Sequence, residues 1–213
     1  MRVIAVLVVL LLTPEWASAN PVMFDGSWQD QSFLFRSANE YIQEGNRLKI
    51  LSDDSVSVLW RSAPPDVRHA RQASWYWSVE QGVTPTDLSL KGGDDRNIAL
   101  YFLFAPRELA EDLENASPNR VFQHEAVRIL VYVRGGNHEP GTIVSSPYLE
   151  PRGVLIPLRE TGNGTFAELV DLDADFRRVF GMPPGVLLGL GISADSDDTD
   201  GLIEAELGDL VIE

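Results

Sequence analysis

Residues 74–104 read SWYWSVEQGVTPTDLSLKGGDDRNIALYFLF, with a different kind of strand at each end. Ser74 to Glu80 alternates: Trp75, Trp77 and Val79 face one way, and Ser74, Tyr76, Ser78 and Glu80 the other, as in a half-buried strand. Asn97 to Phe104 is apolar on both faces, as expected of a central strand covered on each side. Between them, Lys91-Gly92-Gly93-Asp94-Asp95-Arg96 is the densest polar cluster beside a buried segment anywhere in the sequence.

Working outward, the same periodicity predicts further strands. Residues 47–52 and 55–61 read as a hairpin joined at Asp53-Asp54. Ala126 to Arg134 places Val127, Ile129, Val131 and Val133 inward against Arg128, Leu130, Tyr132 and Arg134. Residues 142–144, 153–159 and 166–172 follow, with Pro157 pushing its strand toward an edge or an early end. Val186 to Ala194 sets Val186, Leu188, Leu190 and Ile192 against a face nearly bare of side chains at Gly189 and Gly191. A last strand, 202–212, is bulged near Gly208. One short helix opens at Pro106; another is capped by Asp173 and ended by Gly181. Phe24, Trp28, Phe33 and Phe35 are expected to pack across the molecule. About ten strands with turns at short intervals and two short helices predict an all-β fold, an antiparallel β-sandwich of jelly-roll type.

The first residues carry a different message. Met1-Arg2 is a positive start, Val3 to Leu12 an apolar run, and Ala17-Ser18-Ala19 a small-residue cleavage pattern. This reads as a signal peptide over 1–19, followed by a single β-sandwich domain over 20–213. The run is about half the length of a bilayer-spanning helix, so no stable membrane insertion is expected after cleavage, and the location is periplasmic or secreted. Losing Arg2 and Glu15 leaves 16 basic and 31 acidic side chains, so the net charge stays at -15. Such a chain repels phosphate backbones, which disfavours nucleic-acid binding, so no nucleic acid is expected as a partner. With no cysteine, an exported chain must hold together by packing alone.

Three features could carry chemistry. The turn Asp195-Ser196-Asp197-Asp198-Thr199-Asp200-Gly201 offers the clustered carboxylates that calcium requires, with Asp195, Asp197, Asp198 and Asp200 as candidate ligands. An EF-hand is excluded: setting Asp200-Gly201 at its fifth and sixth positions puts Ser196 first and Leu207 last. In the second feature, Gly92-Gly93 frees backbone amides, Lys91 and Arg96 add charge, and Asp94 and Asp95 accept sugar hydroxyls or a metal. The third is a sheet face carrying Tyr76, Tyr101, Arg128, Tyr132 and Arg134, a composition suited to a carbohydrate or small organic acid. His69, His124 and His138 lie far apart, and neither His-x-x-x-His nor Gly-x-Ser-x-Gly spacing occurs, so no zinc site or serine triad is expected.

Several of these stretches together resemble a bacterial family. Trp75-x-Trp77, Thr86-Asp87-Leu88, Lys91-Gly92-Gly93-Asp94-Asp95-x-x-Ile98-x-Leu100-Tyr101, Ser146-Pro147-Tyr148 and Gly191-Ile192-Ser193-Ala194-Asp195-Ser196-Asp197-Asp198-Thr199 are similar to the exported domain-of-unknown-function family 3047. The likeness runs from about Trp28 to the C-terminus. It marks Trp75, Trp77, Asp94, Asp95, Tyr101, Asp195, Asp197 and Asp198 as signature positions and implies an outline like that of jelly-roll carbohydrate-binding modules. It brings no activity with it. Asn97-Ile98-Ala99 departs from the pattern, which leads one to expect a basic residue there.

The reading that follows is an exported, non-catalytic protein binding a glycan or small polar ligand at the loop ends, with calcium as a candidate cofactor and no catalytic residue assigned. The alternatives are a carbohydrate-active hydrolase or lyase using paired acids, and a structural or partner-binding envelope protein. The composite site requires residues 91–96 and 195–200 to meet at one rim of the sandwich.

Overall fold

Alternation at 74–80 and an unbroken apolar run at 97–104 put these two strands in different sheets, one half-covered and one covered on both faces. The structure, a computed structural model, describes residues 21–114 and 116–213; the expected leader lies outside them. In chain order the strands are β1 (Gln29–Ser32), β2 (Glu40–Glu44), β3 (Arg47–Asp53), β4 (Ser57–Ser62), β5 (Gln72–Gln81), β6 (Arg96–Ala105), β7 (Arg128–Arg134), β8 (Val144–Ser145), β9 (Gly153–Arg159), β10 (Gly164–Asp171), β11 (Val186–Asp195) and β12 (Leu202–Ile212). The helices are α1 (Arg107–Glu114), α2 (Pro118–Gln123) and α3 (Leu172–Phe180). None of the described helices is long and apolar enough to cross a membrane.

The strands form a seven-stranded sheet, β1-β4-β11-β6-β7-β9-β8, and a five-stranded sheet, β10-β5-β12-β3-β2. This is the expected jelly-roll-type sandwich, antiparallel except where β7 runs parallel to β9. Pro157 neither sets its strand at an edge nor ends it, since β9 lies between β7 and β8 and runs on to Arg159; it sits instead beside a register shift of the parallel pair. The main core lies between the sheets and contains Trp75, Trp77 and Val79 from β5, with Leu100, Phe102, Leu130 and Tyr132 opposite. Trp75 packs edge-on to Trp77 at 5.4 Å between ring centroids. α3 adds Leu172 and Phe176 to this core. Its N-cap is Asp171, whose side chain accepts from the Ala174 N–H at 2.9 Å, so Asp173 stands in the first turn rather than at the cap. Gly181 ends it in the left-handed conformation, as expected.

A second core covers the far face of the seven-stranded sheet, where Leu113 of α1, Val121 of α2 and Leu88 of the β5–β6 connection join Leu103, Ile129, Val131 and Val133. The valine face of β7 is therefore buried in this second core, and its other face is the main core. The bare side of β11 belongs to this second core: a Cβ at Gly189 would fall inside the Trp60 ring. Trp60 in turn packs on Phe122 at 5.3 Å.

The expected hairpin between β3 and β4 does not form, because the two strands lie in opposite sheets. Residues 54–56 instead cross between the layers. Residues 82–95 and 196–201 do the same, joining β5 to β6 and β11 to β12. These crossings are tied together: Ser52 Oγ meets Ser196 Oγ at 2.8 Å, and the Ser196 N–H donates to the Ser55 carbonyl at 3.1 Å. One rim of the sandwich is thus built from crossing chain.

Candidate functional site

At this rim the chain must leave β5, turn and enter β6, and Gly92 supplies the positive φ (+73°) that the turn needs. Asp95 follows, fully buried. Its Oδ2 accepts from the Thr199 N–H at 2.8 Å and from Thr199 Oγ1 at 2.6 Å, and its Oδ1 from the Asp198 N–H at 3.3 Å. Residues 91–96 and 195–200 therefore meet, bonded directly to each other. Charged acceptors on backbone N–H groups are among the stronger protein hydrogen bonds, so Asp95 fixes the shape of the acidic turn.

Arg96, the next residue, is buried between two carboxyls. Its Nη1 lies 3.1 Å from Asp94 Oδ2 and 3.0 Å from Asp195 Oδ2, and its Nη2 donates to the Tyr101 hydroxyl at 2.9 Å. Two atoms of this network lack any hydrogen-bond partner in the protein although both are buried: Arg96 Nε and Asp195 Oδ1. Burial pushes the Asp195 carboxyl up to about 9; the Arg96 charge opposes this, while the neighbouring carboxyls of Asp197, Asp95 and Asp94 add to it. Asp94 is also raised, by burial first, with Arg96 holding it down.

Over this network opens a cleft of about 310 Å³. Asp94, Arg96, Tyr101, Asp195, Asp197 and Asp198 line its polar part, and Val56, Val58, Leu149 and Leu155 its apolar part. Phe33, Leu34 and Arg36, from the turn after β1, stand on one side of it and Tyr148 on the other. Arg36 forms an ion pair with Asp197. Lys91 Nζ sits 5.7 Å from the Tyr148 ring centroid, and the Gly92 N–H donates to the Tyr148 hydroxyl at 3.3 Å.

Of the residues expected at a site, Asp94, Asp95, Arg96, Tyr101, Asp195, Asp197 and Asp198 come together here, with Lys91 beside them on Tyr148. Asp200 is exposed on the turn and lines no part of the cleft. Carboxylate oxygens of Asp95, Asp197 and Asp198 lie within 4.8 Å of one another, so these three, rather than the set with Asp195 and Asp200, are grouped as calcium ligands would be. The expected sheet-face site does not assemble. Tyr132 is in the main core with its hydroxyl on Asp175 at 2.9 Å, and Arg134 is buried with its guanidinium on the carbonyls of Gly162 and Gly164 at 2.7 and 2.8 Å. Tyr76 lies on the outer face of the five-stranded sheet, donating to Glu206 at 2.6 Å, and Arg128 bonds the Glu125 carbonyl at 2.8 Å.

Sequence reasoning missed Arg36, Val56, Val58 and the role of Phe33, which stands at the cleft and not across the sandwich. A clue was available in 33–36, where two aromatic residues and a leucine precede an arginine without strand alternation. Tyr148 was visible only within the family pattern.

None of the curated proteins matches the chain. Among solved structures it is similar to the xyloglucanase domain of a type three effector from Sinorhizobium fredii in complex with cellobiose (TM-score 0.48, 9% identity, 94% of this chain and 99% of that one). It is likewise similar to a thermostable cellulase derived from Rhodothermus marinus Cel12A (TM-score 0.48, 14% identity, 92% and 96%). A third is the family 11 xylanase from Neocallimastix patriciarum (TM-score 0.44, 9% identity, 92% and 95%). At such scores these likenesses say nothing of what this chain binds. The match to a sequence family is of another kind, since it spans residues 26–211 and so takes in both sheets and every residue of the cleft: the chain belongs to the DUF3047 family of proteins of unknown function.

Proposed function

We propose that this protein is exported and, without catalysing a reaction, binds a hydroxylated ligand of the glycan class in the rim cleft. The observation that carries this is the unpartnered pair Arg96 Nε and Asp195 Oδ1, both buried and both on residues that line the cleft. An unmet buried polar group costs about 1–3 kcal/mol, so each gains from a partner brought by a ligand. A hydroxyl has what each lacks, an oxygen that accepts from an N–H and a proton for a carboxyl oxygen. A carboxylate ligand would meet Asp94, Asp195, Asp197 and Asp198, and an amine would meet Arg96. Phe33 and Tyr148 add ring faces of the kind on which the C–H side of a sugar packs.

One feature favours binding over hydrolysis: the Asp95 carboxylate is taken up by the acidic turn and is not free to act as acid or base. One observation favours a hydrolase or lyase as the second reading: Asp195, pushed up by burial, has the protonation of a general acid. Calcium would join the binding reading through Asp95, Asp197 and Asp198, and a flat calorimetric titration at millimolar calcium would remove it.

A glycan array probed with mature protein tests the proposal, followed by calorimetry on the hits. Binding is expected to weaken about ten-fold in Tyr148→Ala, the loss of one stacking contact. Absence of any hit would overturn the reading, and release of reducing ends from a hit would replace it with the hydrolase.

A further inference from the structure

The cleft is polar along β11 and β6 and apolar on its flanks, with Val56 and Val58 on the β4 side and Leu149 and Leu155 on the β9 side, surfaces that no hydroxyl can satisfy. On the flank of β1 and β4 stand two exposed apolar residues of the turn after β1: Leu34 is 82% exposed and Phe35 94% exposed. Such a pair at a loop tip is costly to leave in water, and Phe35 also holds a φ of +66°, a conformation that a bulky side chain rarely adopts. The tip is kept in place by the Arg36 N–H on the Phe33 carbonyl at 3.3 Å and by the ion pair of Arg36 with Asp197.

We propose that the ligand is an amphiphile: a hydroxylated head at Arg96 and Asp195, and a hydrocarbon or aromatic tail along Val56 and Val58, leaving over Leu34 and Phe35. This rests on the hydroxylated-ligand reading above and adds its substrate class. Size agrees, because about 310 Å³ is at the low end of the roughly 300–1,000 Å³ of small-molecule pockets. The cleft holds a ring-sized head and the start of a tail, so a longer tail must cross the mouth, where the two exposed apolar residues stand. Charge narrows the head as well: the acidic lining repels an anionic head, and an ammonium head offers no acceptor to Arg96 Nε, leaving a neutral hydroxylated head as the best fit.

The test is calorimetry of the mature protein with octyl β-glucoside, β-galactoside, β-mannoside and β-maltoside, each below its critical micelle concentration, beside the matching methyl glycosides, octyl sulfate and octyltrimethylammonium. An octyl glycoside is expected to bind about ten-fold or more tightly than its methyl counterpart, as burial of several methylene groups implies. Phe35→Ser, at a site 94% exposed and outside the cleft lining, should weaken the octyl glycoside several-fold and leave the methyl glycoside unchanged. Equal affinity for octyl and methyl forms overturns the amphiphile and leaves the hydroxylated ligand standing. Octyl sulfate or octyltrimethylammonium binding as tightly as the best octyl glycoside overturns the hydroxylated head and the amphiphile together, and so does binding of none of these probes.

Discussion

Asp95 and Thr199, 104 positions apart, are joined by two hydrogen bonds to one carboxylate oxygen, from the Thr199 N–H at 2.8 Å and from its hydroxyl at 2.6 Å. The bond couples the entry to β6 with the turn after β11, so the acidic turn owes its conformation to a residue in another part of the chain. Asp95→Ala is expected to cost about 3 kcal/mol, since it leaves buried or half-buried donors unmet. Asp95→Asn, which keeps one acceptor, should cost less. Urea midpoints at unchanged slope measure both, and an Ala variant as stable as the parent would show that the turn holds its own shape.

Arg96 stands between Asp94 and Asp195, all three nearly buried. Arg96→Met should destabilise by roughly 3–5 kcal/mol, because it strands two buried carboxyls. The double variant Arg96→Met, Asp195→Asn should recover part of that loss. A double-mutant cycle by chemical denaturation gives the coupling, and simple additivity of the two changes would deny it.

Gly189 is bare because the Trp60 ring occupies the space where a Cβ would be. Gly189→Ala is expected to cost about 3 kcal/mol by overpacking. Adding Trp60→Leu should reduce that cost even though it removes an aromatic residue from the second core. Thermal melts of the single and double variants settle the order of stability, and a double variant less stable than either single one would locate the strain elsewhere.

Tyr76 predicts a response to alkali. Burial pushes its phenol up to about 12, and the hydrogen bond to Glu206 and that carboxylate's charge add to the shift. In the unfolded chain the phenol ionises near 10. The native state thus holds the proton more firmly; the resulting stability is fully present below about pH 10 and is lost as pH rises toward about 12. Tyr76→Phe should flatten the fall in stability across that window, measured by urea unfolding at several pH values. An unchanged slope would assign the alkaline loss to other tyrosines.

How far the chain could be read in advance varies by element. β5 and β6 were legible because their periodicity differs, one alternating and one continuous, and each pattern implies its own degree of cover. The outer face of β7 was not legible. Its valines alternate with Leu130, Tyr132 and Arg134, and the polar tips of Tyr132 and Arg134 suggest solvent. In the fold those tips reach Asp175 and two backbone carbonyls at the core's margin, while the valines are buried in the second core. Asp53-Asp54 misled for a related reason, because the same residues suit a hairpin and a crossing between sheets; only apolar residues on both faces of β4 distinguish them. For the site, residue types at 91–96 and 195–199 were visible as ligand chemistry, and the direct bond from Asp95 to Thr199 was not. Arg36 and Phe33 escaped notice because nothing local shows that the turn after β1 returns to this rim.

The rim built from crossing chain has a kinetic consequence. Asp95, Asp195 and Arg36 find their partners Thr199, Arg96 and Asp197 only across about a hundred or more positions of chain, so the cleft belongs to the slow, non-local part of folding. Ligand affinity would then report completed assembly, and ligand added during refolding would leave the early rate untouched while shifting the final equilibrium toward the docked sandwich.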